Sequence, residues 1–237
     1  STFDRDGRYC SEESPSNTTS RRNVREVRIA KYMIDQFEQQ VAERKEDIPQ
    51  ENWSDDSMLQ HLDHEGRLPI GFITFYGDQK NAFREIANEN DSWVAMRNRW
   101  PNLSVKVDTV DKFQGGERAV IFVSMVVSPE ISEKKRDAFE KKVRPYSYNP
   151  KKVQSKNGFD QGGIPRSGTS FIKSPERINV AFSRAQNLLI VLGNRFALSK
   201  NDVEIIRDND SKVKKPMYKQ IQEVIGQGGM IDGRDML

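Results

Sequence analysis

The chain has 237 residues, 35% hydrophobic and 31% charged, enough for one large α/β domain or one domain with a sizeable insert, its modest core under a heavily charged surface. Its 38 basic residues stand against 35 acidic ones, a formal net charge of +3, so any case for nucleic-acid binding rests on where the charge is placed and not on its total. The single cysteine, Cys10, excludes an internal disulfide and fits a reducing, intracellular compartment, cytoplasmic or nuclear. The longest apolar runs, 119–123 and 188–192, are too short to span a bilayer, and no basic-then-apolar leader opens the chain. The start at Ser1 fits either trimming or a piece of a longer polypeptide.

Residues 1–22 are polar and rich in serine and charge, and read as a flexible arm. A helix is predicted from Asn23 to about Val41. Val24, Val27, Ala30, Ile34, Phe37 and Val41 recur on one face, and Asn23 with Glu26 has the form of a capping box. Residues 43–69 read as a long surface connection holding His61 and His64, which read as solvated and not as a metal site. Ile70–Phe75 reads as a strand. A helix follows from about Gln79 to Arg97, with Ala82, Phe83, Ile86, Ala87, Trp93 and Val94 inward. Trp53, Trp93 and Trp100 are open to two readings, core packing or base stacking, with core favoured for Trp93.

Leu103–Val107 reads as a strand, and the nearly continuous apolar runs Ala119–Val127 and Leu188–Leu192 read as strands covered on both faces. A helix from about Glu176 to Ala185 precedes the last of them. Alternating strands and helices predict a mostly parallel sheet with helices on both faces. Residues 128–174 interrupt this pattern with Lys134, Lys135, Arg136, Lys141, Lys142, Lys151 and Lys152, four glycines and four prolines. They read as a basic, partly disordered surface insertion, either a phosphate-gripping segment or a solvated loop. The domain body is placed at 23–227 and a tail at 228–237.

Two stretches carry chemistry. Residues 107–124, VDTVDKFQGGERAVIFVS, place Thr109, Asp111, Gln114, Gly115, Gly116 and Glu117 in a sharp polar turn between two buried strands. Hydroxyl, amide and carboxylate groups of this kind hold nucleotide sugars and phosphodiester oxygens. Residues 174–194, SPERINVAFSRAQNLLIVLGN, form a helix with Pro175 in its first turn, followed by a strand, and Arg177 and Arg184 lie seven residues apart. Two arginines so placed suit bidentate recognition of phosphate, or are merely solvated.

Together these stretches resemble motifs V and VI of superfamily-one nucleic-acid helicases, in the 5′→3′ branch of the nonsense-mediated-decay helicase and senataxin-like proteins. VDTVDKFQGGE resembles that group's V-x-T/S-V-D-x-F-Q-G-x-E, and ERINVAFSRAQNLLIVLGN resembles R-R-L-N-V-A-L-T-R-A-x-x-x-L-I-I-V-G-N. IGFITFYGDQKNAF is similar to the I-G-I-I-T-P-Y-x-x-Q stretch before motif V, and Asn23-Val-Arg-Glu26 to the N-x-x-E-A opening of the second motor domain. The likeness spans roughly residues 20–195.

The resemblance implies a RecA-like, P-loop-NTPase-type fold and a motor domain acting on single-stranded DNA or RNA. It implies Arg177 as the arginine finger, Arg184 as a link from the nucleotide site to the rest of the motor, and Glu117 as a ribose contact. Gln114, Gly115 and Gly116 would wall the cleft, and Thr74 and Thr109 would touch the nucleic-acid backbone. Asn179 would fix local structure. The sequence also departs from the pattern. It has no G-x-x-x-x-G-K-[S/T] loop, no paired acidic motif to hold magnesium and no upstream glutamine–tyrosine–arginine motif. Ser183 stands for threonine, Phe75 for proline and Glu176 for arginine. ATP with magnesium is therefore expected to bind jointly with an N-terminal RecA-like domain, this chain alone being inactive. The other reading is a non-catalytic nucleic-acid-binding or scaffold module of the same shape.

Overall fold

The computed structural model describes residues 20–87, 93–113, 116–127, 171–194, 198, 202–206, 211–225, 229 and 231. The body is a four-stranded, wholly parallel sheet in the order β2-β1-β3-β4, with β1 Leu68–Thr74, β2 Leu103–Thr109, β3 Arg118–Ser124 and β4 Ala185–Leu192. Helices lie on both faces, as the apolar strand runs require. On one face, α1 (Val24–Asp47) and α2 (Gly77–Ala87) cover Ile70, Phe72, Val120 and Phe122. Phe83 stacks on Phe72 with ring centres 4.3 Å apart, and Phe37 meets Phe122 edge-on at 6.2 Å. On the other face, α4 (Pro175–Phe182) and α5 (Met217–Ile225) pack with Ile73, Ile121, Val123 and Phe113. A two-stranded antiparallel sheet, β5 (Val203–Ile206) with β6 (Lys212–Lys215), adds the buried Val203 to that second cluster.

Several boundaries differ from the sequence reading, each for a physical reason. The helix from 79 to 97 is two helices, α2 and α3 (Trp93–Arg99); residues 88–92, and the side chains of Trp93 and Val94, lie outside the described residues. α1 runs on past Val41 to Asp47, because polar contacts hold its last turns: Lys45 Nζ donates to Gly66 O at 2.6 Å and to Asn102 Oδ1 at 2.8 Å. Trp100 is 1% exposed with its indole N–H on Asp35 at 2.9 Å, and Trp53 packs partly buried with its N–H on Ile48 O at 3.0 Å. Both are structural, and the base-stacking reading fails for Trp100. β4 starts at Ala185, before its apolar run, because Gln186 and Asn187 are exposed on an outer strand. The insertion ends sooner than 174: Ile172 is fully buried, Tyr218 Oη donates to its carbonyl, and Ser174 caps α4.

The connection from β2 to β3 is the unusual part. Parallel strands on either side of β1 must be joined by a chain that returns across the sheet. A seven-residue strand is about 23 Å long, and the eight residues 110–117 reach roughly 27 Å when extended, so no crossover helix fits. Phe113 instead packs over β1 at Gly71. A Cβ there would lie 2.4 Å from Ile121 Cδ1 and 2.7 Å from Phe113 Cζ. Gly71→Ala is expected to lower stability by about 1–3 kcal/mol, read as a drop in melting temperature of roughly 2–4 °C for each kcal/mol. An unchanged melt would show that the crossing segment is not held against the strand.

Candidate functional site

Because the strands are parallel, the crossing segment begins at the carboxyl edge of the sheet and ends at the amino edge. Thr109 stands opposite Thr74 at one edge, while Arg118 stands opposite Ala185, the first residue of β4, at the other. The sequence reading grouped Thr109 to Glu117 as one polar turn. The structure separates its two ends by the length of the sheet.

At the carboxyl edge Thr74 is fully buried and its hydroxyl accepts from Tyr76 N at 3.4 Å, whereas Thr109 is half-exposed and its backbone N–H donates to Asp108 at 2.9 Å. Thr109 is thus the threonine with a side chain open to a ligand. Asp111, just beyond β2, accepts from Arg177 Nε at 2.9 Å, with the arginine side chain 32% exposed and the carboxylate 59%. Ser174 sets this arrangement by capping α4: its hydroxyl oxygen accepts from Arg177 N at 3.4 Å and donates to Glu176 at 2.7 Å. That hydroxyl bond is the main reason the Glu176 carboxyl titrates below its ordinary range.

Beneath this edge lies a buried polar knot that the sequence reading missed. Gln79 accepts from Asn23 N at 2.6 Å and returns a bond to Asn23 O at 3.1 Å, and its amide also donates to Ser124 Oγ at 2.7 Å. Ser124 Oγ in turn donates to Glu26 Oε2 at 2.6 Å, which also accepts from Val126 N at 2.9 Å. Asn23 does cap α1, accepting from Glu26 N at 3.3 Å. The Glu26 carboxylate, however, does not close a capping box but reaches across to the end of β3. Val126 sits there at φ 66°, a rare value for a β-branched residue, with Val127 N bonded to Met125 O at 2.7 Å in a tight γ-turn. Asn23 Nδ2 holds the same turn through Val126 O at 3.3 Å. Asn23, Glu26 and Gln79 all lie in stretches singled out in the sequence, but spacing alone could not show that their side chains meet.

At the amino edge Glu117 accepts from Gln186 Nε2 at 3.3 Å, so the outer strand β4 holds the carboxylate. Arg184 O accepts from Arg118 N at 3.0 Å, which fixes the Arg184 turn against the start of β3. Burial lowers the pKa of the Arg118 guanidinium, Asp63 opposing the fall and Arg67 adding to it. His61 Nε2 lies 2.9 Å from Asn187 Nδ2, which docks the 3₁₀ turn at 59–61 on β4. Arg177 is thus placed with Asp111, and Glu117 with Gln186 beside Arg184. Gly116 lies near Lys106, whose Nζ sits 3.6 Å from where a glycine Cβ would be. Gln114, Gly115, Lys134, Lys135 and Arg136 lie outside the described residues.

The chain belongs to a family described as an AAA domain, whose model matches residues 5–196. It is 33% identical over 133 residues to a protein of Gallus gallus, MOV-10, named as a helicase, a stretch that covers 56% of this chain and 10% of that one. It is 30% identical over 132 residues to a Dictyostelium discoideum protein also named as a helicase, with 56% and 9% covered. The chain thus matches about a tenth of the length of these relatives. Fold and family agree on an α/β, RecA-like, P-loop-NTPase-type domain of helicase-like kind. Among the described residues no helix is long and apolar enough to cross a membrane.

Glu26→Ala would leave Ser124 Oγ, Val126 N and Asn23 Nδ2 without their shared acceptor in a buried site. A loss of at least about 3 kcal/mol in urea unfolding is expected, at 1–3 kcal/mol for each unmet buried group. A loss below about 1 kcal/mol would mean that water enters the knot freely.

Proposed function

We propose that this chain is the second RecA-like motor domain of an ATP-dependent helicase or translocase that acts on single-stranded DNA or RNA inside the cell. One observation carries the reading. Segment 110–117 joins a hydroxyl suited to a nucleic-acid backbone, Thr109, to a carboxylate suited to a ribose, Glu117, across the width of the sheet. A short connection between a nucleotide contact and a nucleic-acid contact suits a motor, because closure at one can then displace the other.

In this reading Glu117 accepts hydrogen bonds from the ribose hydroxyls, Gln186 keeping its carboxylate in place, while Gln114, Gly115 and Gly116 wall the cleft. Arg177 and Arg184 offer guanidinium charge to the phosphates as negative charge shifts between their oxygens. The two differ in readiness. Arg177 is already engaged by Asp111 and must part from it to reach a phosphate, whereas Arg184 has a buried Nε with no hydrogen-bond partner among the described residues. ATP supplies the phosphoanhydride bond. Its magnesium is assigned to an N-terminal RecA-like domain, because the sequence has neither a phosphate loop nor a paired acidic motif following a strand. Thr109 touches the nucleic-acid backbone, and Lys134, Lys135 and Arg136 add phosphate contacts.

The isolated 237-residue chain is expected to show no significant ATP hydrolysis, and robust turnover abolished by Glu117→Gln would refute this division between domains. Joined to an N-terminal RecA-like domain, Arg177→Ala and Arg184→Ala are each expected to slow nucleic-acid-stimulated hydrolysis by on the order of a thousandfold while nucleotide binding largely persists. If only Arg184→Ala does so, Arg177 is a partner of Asp111 and not the finger. If neither does, the chain is a nucleic-acid-binding scaffold of helicase shape.

A further inference from the structure

The outward face of α1 carries its charges in an order that the helix by itself does not favour. Opposite the buried Val27, Ala30, Ile34 and Val41, a stripe begins with Arg25, Arg28 and Tyr32. It passes through Gln36 and ends with Gln39, Glu43 and Glu46, all within roughly 80° of one another at about 100° per residue. Every residue of the stripe but the half-exposed Arg25 is exposed. Like charges thus stand three residues apart at each end, which destabilises an isolated helix. Both ends also oppose the helix macrodipole, which favours acids at the start and bases at the end. The charges that obey the dipole point elsewhere: Glu26 to Ser124, Arg44 to Asp56 and Lys45 to Asn102. Among the described residues, Arg28, Glu43 and Glu46 take part in no ion pair. Along the basic half runs an open groove of about 290 Å³ lined by Arg25, Arg28, Lys31, Tyr32 and Asp35. Lys31 and Asp35 are already joined at 2.5 Å, while Arg28 and Tyr32 face outward.

We propose that this stripe is the contact of a symmetric dimer, in which α1 of one copy of the chain packs antiparallel on α1 of a second copy. Turned end for end, the stripe is its own complement. Pairing centred between residues 35 and 36 sets Arg25 opposite the partner's Glu46, Arg28 opposite the partner's Glu43 and Tyr32 opposite the partner's Gln39. A two-fold axis makes each of these contacts twice, which is how a self-complementary patch forms a closed pair. The antiparallel order also puts each arginine beside the carboxyl half of the other helix and each glutamate beside its amino half, where the dipole favours them. A parallel order would set arginine on arginine and glutamate on glutamate. An acidic segment of another protein would answer only the first half of the stripe, and a nucleic acid would be repelled by Glu43 and Glu46 in the second. The helix has 24 residues and is about 36 Å long, with Tyr32 as the one aromatic on the stripe. The contact is therefore small and polar, and the dimer weak and salt-dependent. The proposal rests on α1 and not on the motor reading.

Sedimentation equilibrium of the 237-residue chain, at about 0.05 M salt and up to about 1 mM protein, is expected to show monomers and dimers, with association weakened at least about tenfold at about 0.5 M salt. Arg25→Glu with Arg28→Glu, and separately Glu43→Lys with Glu46→Lys, should each weaken self-association by more than about a hundredfold. Both should melt no lower than the parent, because the reversed charges suit the helix dipole. Mixed in equal amounts, the two variants should pair again, since each carries the charge the other lacks. With Cys10→Ser in place, Gln36→Cys should give a disulfide-linked dimer under mild oxidation. Glu46→Cys should not, because the two copies of position 46 would lie roughly 31 Å apart along the axis. A chain that stays monomeric at about 1 mM and low salt overturns the proposal. So does a dimer that survives both pairs of reversals, which would use another surface, or a mixture that fails to pair. Cross-links formed equally at 36 and 46 overturn it by removing the antiparallel order. If the chain is monomeric and Arg25→Glu with Arg28→Glu lowers its affinity for a single-stranded oligonucleotide, the basic half is a nucleic-acid contact instead.

Discussion

Everything in this fold depends on how an eight-residue segment crosses a parallel strand. β2 and β3 flank β1 and point the same way, so residues 110–117 must travel from one edge of the sheet to the other. That distance leaves no room for a crossover helix: the chain makes one turn as it leaves β2, with Lys112 N and Phe113 N both bonded to Thr109 O, and Phe113 packs over β1. This packing requires the absence of a side chain at position 71 and the presence of a large one at Phe113, which is fully buried and takes the Lys106 ammonium over its ring at 4.7 Å. The polar residues at the two ends of the connection can then serve different ligands while only eight residues apart.

The start of the segment, at the carboxyl edge of the sheet, needs a firm base, and the knot of Asn23, Glu26, Gln79 and Ser124 provides one. It joins the starts of α1 and α2 to the end of β3, three elements far apart in sequence. A buried carboxylate is stable only when its lone pairs are met, and here a hydroxyl, a backbone N–H and an amide meet them. The same carboxylate holds Val126 in a left-handed conformation that costs on the order of 1–3 kcal/mol, a strain that persists only because the surroundings over-determine it.

The architecture was largely legible in the sequence, because burial on both faces writes itself as apolar runs. All four strands of the main sheet and the stripe of α1 could be read that way. The errors fall where burial and pairing part company. Met125, Val126 and Val127 are fully buried yet lie outside β3, since Glu26 and Asn23 bend them into a turn. Gln186 and Asn187 belong to β4 yet are polar, since β4 is an outer strand and exposed there. The site was legible as residue types and not as geometry. Spacing put Thr109 and Glu117 in one turn, because strand direction, which separates them, is a property of the sheet as a whole. Glu26 read as a cap, because its real partners lie about a hundred residues away.

The two edges of the sheet differ in how complete they are, and the difference has a direction. At the carboxyl edge the buried polar groups of the knot answer one another. At the amino edge three guanidinium nitrogens do not. There Arg67 answers Glu65 and Asp63 through its terminal nitrogen, and the Arg118 N–H meets the Arg184 carbonyl, so the edge is held by ion pairs and backbone and not by a closed side-chain network. In the proposed motor, a ligand met at Glu117 on this edge would be coupled to Thr109 on the far side of the sheet by the segment that joins them.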